Sequence, residues 1–208
     1  MGIPVLIMGE SGSGKSASLR NFEPGEIGIF NVASKPLPFR KKLATAEGAD
    51  YALIVRTLNA NNLKRYAIDD SQYLLAFEFF NKANEKGYEK FTNMAANFYN
   101  LIRFIQLKTP PECIVYFLHH VETSYDSAGN RRLKAKTIGK MLDEKLTVEG
   151  LFSIVLLCQS DATGRHYFQT QSCGNSTAKS PMEMFPLETD NDLKLVDNTI
   201  REYYGYQK

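Results

Sequence analysis

The chain has 208 residues, of which 43% are hydrophobic and 23% charged, with a formal net charge of +2. That length suits one α/β domain spanning residues 1–208 and is too short for two large ones. So small a net charge excludes a whole-molecule field that drives nucleic-acid binding and leaves that task to a local patch.

Cys113, Cys158 and Cys173 are widely spaced, with no CxxC pair and no metal-ligand spacing. Cys113 and Cys158 sit in apolar runs and read as small buried residues of a reducing, cytoplasmic compartment. Ile3 to Met8 is too short for a signal-peptide core or a membrane span, and no later run reaches spanning length, so no membrane partner is expected.

Short apolar runs alternating with helical patterns predict a mostly parallel sheet flanked by helices. Ile3 to Met8 reads as a buried first strand and Ser16 to Phe22 as a short helix closed by Pro24-Gly25. Glu26 to Val32 reads as a second strand, and Pro36 and Pro38 make Ala33 to Arg40 a loop. Ala52 to Arg56 reads as a short strand. Arg65 to Ile68 is a strand ending in Asp69-Asp70. Tyr73, Leu74, Phe77 and Phe80 mark the apolar face of one helix, and Phe98, Leu101, Ile102 and Ile105 that of another, with Gly87 between. Pro110-Pro111 stops the second helix before a strand over Cys113 to Leu118. Glu122 to Lys136 is polar and basic around a turn at Asp126 to Asn130. Ile138 to Val148 has a helical pattern, and Phe152 to Cys158 reads as a buried strand. Arg165 to Gln171 reads as an edge strand or a hairpin arm, and Asp192 to Gly205 as a terminal helix.

The densest chemistry is Gly9-Glu10-Ser11-Gly12-Ser13-Gly14-Lys15-Ser16, a G-x-x-x-x-G-K-S pattern between a predicted strand and a predicted helix. Glycines there let the backbone curl, so that successive amides and the helix start face an anion. The pattern predicts ATP held by Gly9 to Ala17, with Lys15 on the β- and γ-phosphates and Ser16 on Mg2+. Asp69 is the candidate carboxylate for the magnesium shell, and Asp70, or else a residue from the second strand, the candidate group that orients or deprotonates the attacking water. The plainer alternative for Asp70-Ser71 is a helix N-cap. His120 closes a core strand on the same side and is a candidate γ-phosphate sensor, or else a surface histidine. His119 and His120 point to opposite faces and do not share an ion.

Arg131, Arg132, Lys134, Lys136 and Lys140 cluster without an acid and form the candidate patch for a nucleic-acid backbone, a solvated charged loop being the alternative. Lys179 is a candidate for reaching a neighbouring subunit's ATP as an arginine finger does, with Arg165 as a competitor for that role, or else a solvated loop lysine.

Together these residues resemble a phage family, the single-domain RecA-like Sak group of single-strand annealing proteins and recombinases. The resemblance is carried by Gly9 to Ser16, Asn31-Val32 with Lys35-Pro36-Leu37-Pro38, Ile68-Asp69-Asp70, Glu85-Lys86-Gly87-Tyr88 with Lys90-Phe91, and His120-Val121-Glu122. It continues through Lys136-Thr137-Ile138-Gly139-Lys140, Glu149-Gly150-Leu151-Phe152, Ala178-Lys179-Ser180-Pro181 and Asn191-Asp192-Leu193. It implies a RecA-like P-loop NTPase core, ATPase activity, binding of single-stranded DNA, rings or filaments with ATP near subunit interfaces, work beside a phage single-strand binding protein, and the cytoplasm of an infected bacterium. The sequence departs from RecA-like enzymes where a glutamate base closes the second strand, since Asn31 to Lys35 contains no acid. It also shows no oligomerisation arm of the RecA kind ahead of Gly9. Two other functions fit the loop: a nucleotide-gated interaction factor such as a helicase loader, and a small-molecule kinase that uses the basic segment as a lid.

Overall fold

The computed structural model describes residues 1–125, 127, 129–138 and 146–207. Nine strands form one sheet: β1 (Ile3–Gly9), β2 (Gly28–Asn31), β3 (Thr45–Glu47), β4 (Arg65–Asp69), β5 (Ile114–Tyr125), β6 (Arg131–Ala135), β7 (Ile154–Ser160), β8 (His166–Gln169) and β9 (Glu188–Asp190). Their order is β3-β2-β4-β5-β1-β7-β8-β9, with β6 paired to the end of β5. Neighbours from β3 to β7 are parallel, whereas β7–β8, β8–β9 and β5–β6 are antiparallel.

The helices are α1 (Tyr51–Ala60), α2 (Gln72–Asn81), α3 (Glu89–Lys108) and α4 (Leu193–Tyr204), with a six-residue 3-10 turn at Ser16–Asn21. They cover both faces of the sheet. Leu6 and Met8 of β1 pack with Ile54, Leu74, Phe98 and Ile102 of α1 to α3. Val5 and Ile7 pack with Leu19 of the 3-10 turn and Val196 and Ile200 of α4. Alternate β1 side chains therefore enter two separate cores, and the strand is apolar throughout, as a central parallel strand must be. On α3 the expected stripe Phe98, Leu101, Ile102 and Ile105 is buried, each such side chain contributing roughly 1.5–3 kcal/mol. Away from the loop, α4 is anchored by Asp197, which accepts from Arg201, Arg65 and the Tyr116 hydroxyl.

Three expectations change. Ala52 to Arg56 is helix, not strand: the Asp50 side chain accepts from the Leu53 amide and caps α1, and Ile54 and Leu58, four apart, are its buried residues. On α2 the buried side is Leu74, Leu75 and Ala76, while Phe77 and Phe80 are exposed. The polar stretch after Leu118 is a hairpin in which β5 continues and pairs with β6. The expected helix over 138–148 falls largely on residues 139–145, outside those described. Arg165 to Gln171 resolves as β8, a hairpin arm against β7, covered in turn by β9. Gly87 lies between α2 and α3 with φ +95°. No described helix is long and apolar enough to cross a membrane.

Candidate functional site

Parallel register brings the chemistry to one edge of the sheet. Gly9 of β1 pairs with His120 of β5 on one side and Cys158 of β7 on the other. Ile68 of β4 pairs with Phe117 of β5, so Asp69 emerges at the same edge, where parallel α/β sheets hold ligands.

The Gly9–Ser16 loop curls through Gly12 (φ +79°) and Gly14 (φ +100°), backbone values that favour glycine. A side chain at Gly14 would also strike His166 at 3.1 Å and Asn191 at 3.2 Å. Those two residues also hold the loop's backbone. His166 Nδ1–H donates to the Ser13 carbonyl at 2.8 Å, and Asn191 Nδ2 to the Gly14 carbonyl at 3.2 Å. The Cys158 thiol, pushed up to about 11 by burial, also donates to the Ser13 carbonyl. In a trans peptide the C=O and the next N–H point opposite ways. Bonds that hold the Ser13 and Gly14 carbonyls therefore also fix the direction of the Gly14 and Lys15 amides.

Lys15 lies inside the curl, 6% exposed, with Nζ donating to the carbonyls of Gly9 at 2.9 Å and Glu10 at 2.8 Å. Burial pushes its ammonium below the usual lysine range, against the attraction of Asp70 and Asp69. Ser16 Oγ donates to Asp69 Oδ1 at 2.7 Å. Asp69 is buried, and desolvation raises its carboxyl above the usual range although the Ser16 hydrogen bond and Lys15 oppose this.

Asp70 turns the chain from β4 into α2 with φ +58°. It is not the helix cap; Ser71 holds that place, and its hydroxyl faces His119 instead. The Asp70 carboxylate accepts from His120 Nε2–H at 3.1 Å on one oxygen and from Lys35 Nζ at 2.8 Å on the other. Burial pushes Asp70 up, but these two hydrogen bonds outweigh it and hold the group at about 2. Tyr73 backs the clamp, its ring edge-on to His120 at 5.8 Å and under the Lys35 ammonium at 4.8 Å.

A pocket of 400 Å³ opens here, lined by Ser11, Gly12, Gly14, Lys15, Ser16, Ala17, Asp69, Asp70 and His120 together with Lys35, Pro36, Pro38 and His166. Glu10 and Ser13 line a second cavity of 410 Å³ across the loop, with Arg131, Gln159 and Asn175. The donors suit ATP and magnesium. Lys15 supplies a cation beside the glycine-rich backbone, and Ser16 with Asp69 offers the oxygen ligands magnesium prefers.

Other candidates stand apart. Lys179 N–H and C=O pair with Val155 of β7, three residues before the Cys158 that faces Gly9, or about 10 Å along the strand. The hairpin carries Arg131, Arg132 and Lys134 on β6, with Lys136 following; Lys140 lies outside the described residues. Arg131 reaches back to Glu10 of the loop at 2.8 Å, and Lys134 pairs with Glu122 at 3.0 Å. Sequence reasoning missed Lys35, His166 and Asn191 as site residues. Asn31, where an acid was sought, donates to the Lys35 carbonyl and to Glu47, and so shapes the loop that presents Lys35.

No protein-family model matches the chain, and no curated protein matches it.

Proposed function

We propose that the chain is a RecA-like P-loop ATPase of the phage Sak kind, binding Mg·ATP at the Gly9–Ser16 loop and acting on single-stranded DNA in recombination or replication. The Ser16–Asp69 hydrogen bond carries this reading. It joins the last residue of the loop to a buried carboxylate two strands away, the two oxygen groups a magnesium ion needs beside a triphosphate.

In this account the loop amides and Lys15 would hold the phosphates, and Ser16 and Asp69 would hold the metal. The metal held there would supply positive charge against the negative charge that builds during phosphoryl transfer. Asp70 at about 2 is too weakly basic to take a proton from water near neutral pH. It orients water as a hydrogen-bond acceptor and holds His120 and Lys35 as donors toward the γ-phosphate side. The hairpin, through Arg131 on Glu10, couples the loop to DNA contacts at Arg132, Lys134 and Lys136. Oligomers bring Lys179 of one subunit toward its neighbour's ATP, and a phage single-strand binding protein is the natural companion.

The test is phosphate release from ATP with magnesium, with and without single-stranded DNA. Turnover stimulated by the strand supports the account. No turnover under either condition removes the ATPase, and turnover indifferent to DNA with no salt-sensitive binding removes the DNA role and favours a nucleotide-gated interaction factor.

A further inference from the structure

Beside the loop pocket lies a larger concavity, 670 Å³, between the Ser34–Leu43 segment and the sheet edge at β3. Four cations line it, Lys35, Arg40, Lys41 and Lys42, against a single acid, Glu47, which already accepts from Asn31. Arg40 and Lys42 are exposed, and neither has an ion-pair partner among the described residues. Lys41 is held by Glu23 and the Phe22 carbonyl. Phe39 adds a half-buried ring to the floor. Cations beside apolar and aromatic surface suit a strand whose phosphates and bases are both accessible.

We infer that this groove binds the phosphodiester backbone of single-stranded nucleic acid, and that Lys35 passes its occupancy to the nucleotide site. Lys35 and Pro36 line both concavities. The Lys35 side chain is 57% exposed, and its ammonium bonds Asp70 at 2.8 Å. A phosphate arriving in the groove competes with Asp70 for that ammonium, and Asp70 is then left with His120 alone. The binding claim is independent of ATP chemistry; the coupling clause rests on the function proposed above.

The experiment is fluorescence anisotropy of a labelled oligothymidylate with the full chain across a salt series, for wild type and the Arg40→Ala/Lys42→Ala variant. The expected result is at least about tenfold weaker binding by the variant, with a salt slope shallower by about 1.4, 0.7 for each lost phosphate contact. The melting temperature should be unchanged, because both side chains are exposed. Basal ATP turnover should be retained and its stimulation by the strand reduced. Wild-type affinity in the variant at every salt concentration overturns the proposal, as does equal affinity for duplex DNA. Displacement of the strand by inorganic tripolyphosphate at equal phosphate concentration also overturns it, marking a small-anion site. If wild type shows no turnover, the proposed function fails while the anisotropy result still decides the groove.

Discussion

Ser16 Oγ donates to Asp69 Oδ1 at 2.7 Å, across 53 residues of sequence and between β1 and β4, which β5 separates in the sheet. The bond leaves a carboxylate buried where its charge is costly, since desolvation raises its pKa. Asp69→Asn removes that charge and keeps an oxygen for Ser16. The variant should be more stable by up to about 1 kcal/mol and lose turnover by about a hundredfold or more. Urea midpoints and ATP turnover check both parts, and a destabilised variant would count against the electrostatic reading.

On the proposed function, Lys15→Ala should leave the fold intact and lower turnover by about 10²–10³-fold, because the variant lacks the ammonium that would meet the phosphate charge. Near-UV circular dichroism confirms the fold, and phosphate release measures the loss. Wild-type turnover would refute the assignment of the loop.

Lys35, Asp70 and His120 form one clamp, so their effects should not add. Lys35→Ala and Asp70→Asn should each reduce turnover by about tenfold, and the double variant little further. The stability cost of Lys35→Ala should stay below about 1 kcal/mol, because its side chain is more than half exposed. Removing Lys35 also lets Asp70 rise from about 2, so the acid limb of turnover against pH should begin at higher pH than in wild type.

His119 is fully buried, accepts from Ser71 and donates to the Lys136 carbonyl, and burial lowers it to about 4 from 6.5. Between those values the unfolded chain binds more protons than the folded one, so stability falls as pH drops from 6.5 toward 4. The loss is on the order of 3 kcal/mol in all and about 2 kcal/mol by pH 5. Urea midpoints at pH 7 and 5 measure it, and His119→Gln should show a correspondingly smaller drop.

Much of this arrangement was legible in residue order, because strong signals were local. The glycines, Lys15 and Ser16 sit together, and the apolar runs of β1, β5 and β7 can only be buried strands. The α4 boundaries were readable because Asp192 caps its start and Gly205 its end. The β-branched pair Ile54-Val55 gives α1 the look of a strand, and its helix signal is the single cap residue Asp50. The strands β3 and β9, three residues each, carry too little pattern to be seen. Lys35, His166 and Asn191 reach the site from loops and edges far along the chain. Their roles depend on tertiary placement, which periodicity does not encode.

The most direct measurement is a crystal structure of the protein with magnesium and a non-hydrolysable ATP analogue. The account predicts the triphosphate inside the Gly9–Ser16 curl, Lys15 turned from the Gly9 and Glu10 carbonyls onto phosphate, and the metal between Ser16 and the Asp69 side. A nucleotide seated elsewhere, such as the cavity beside Arg131 and Asn175, with Lys15 still bound to its own loop, would contradict it.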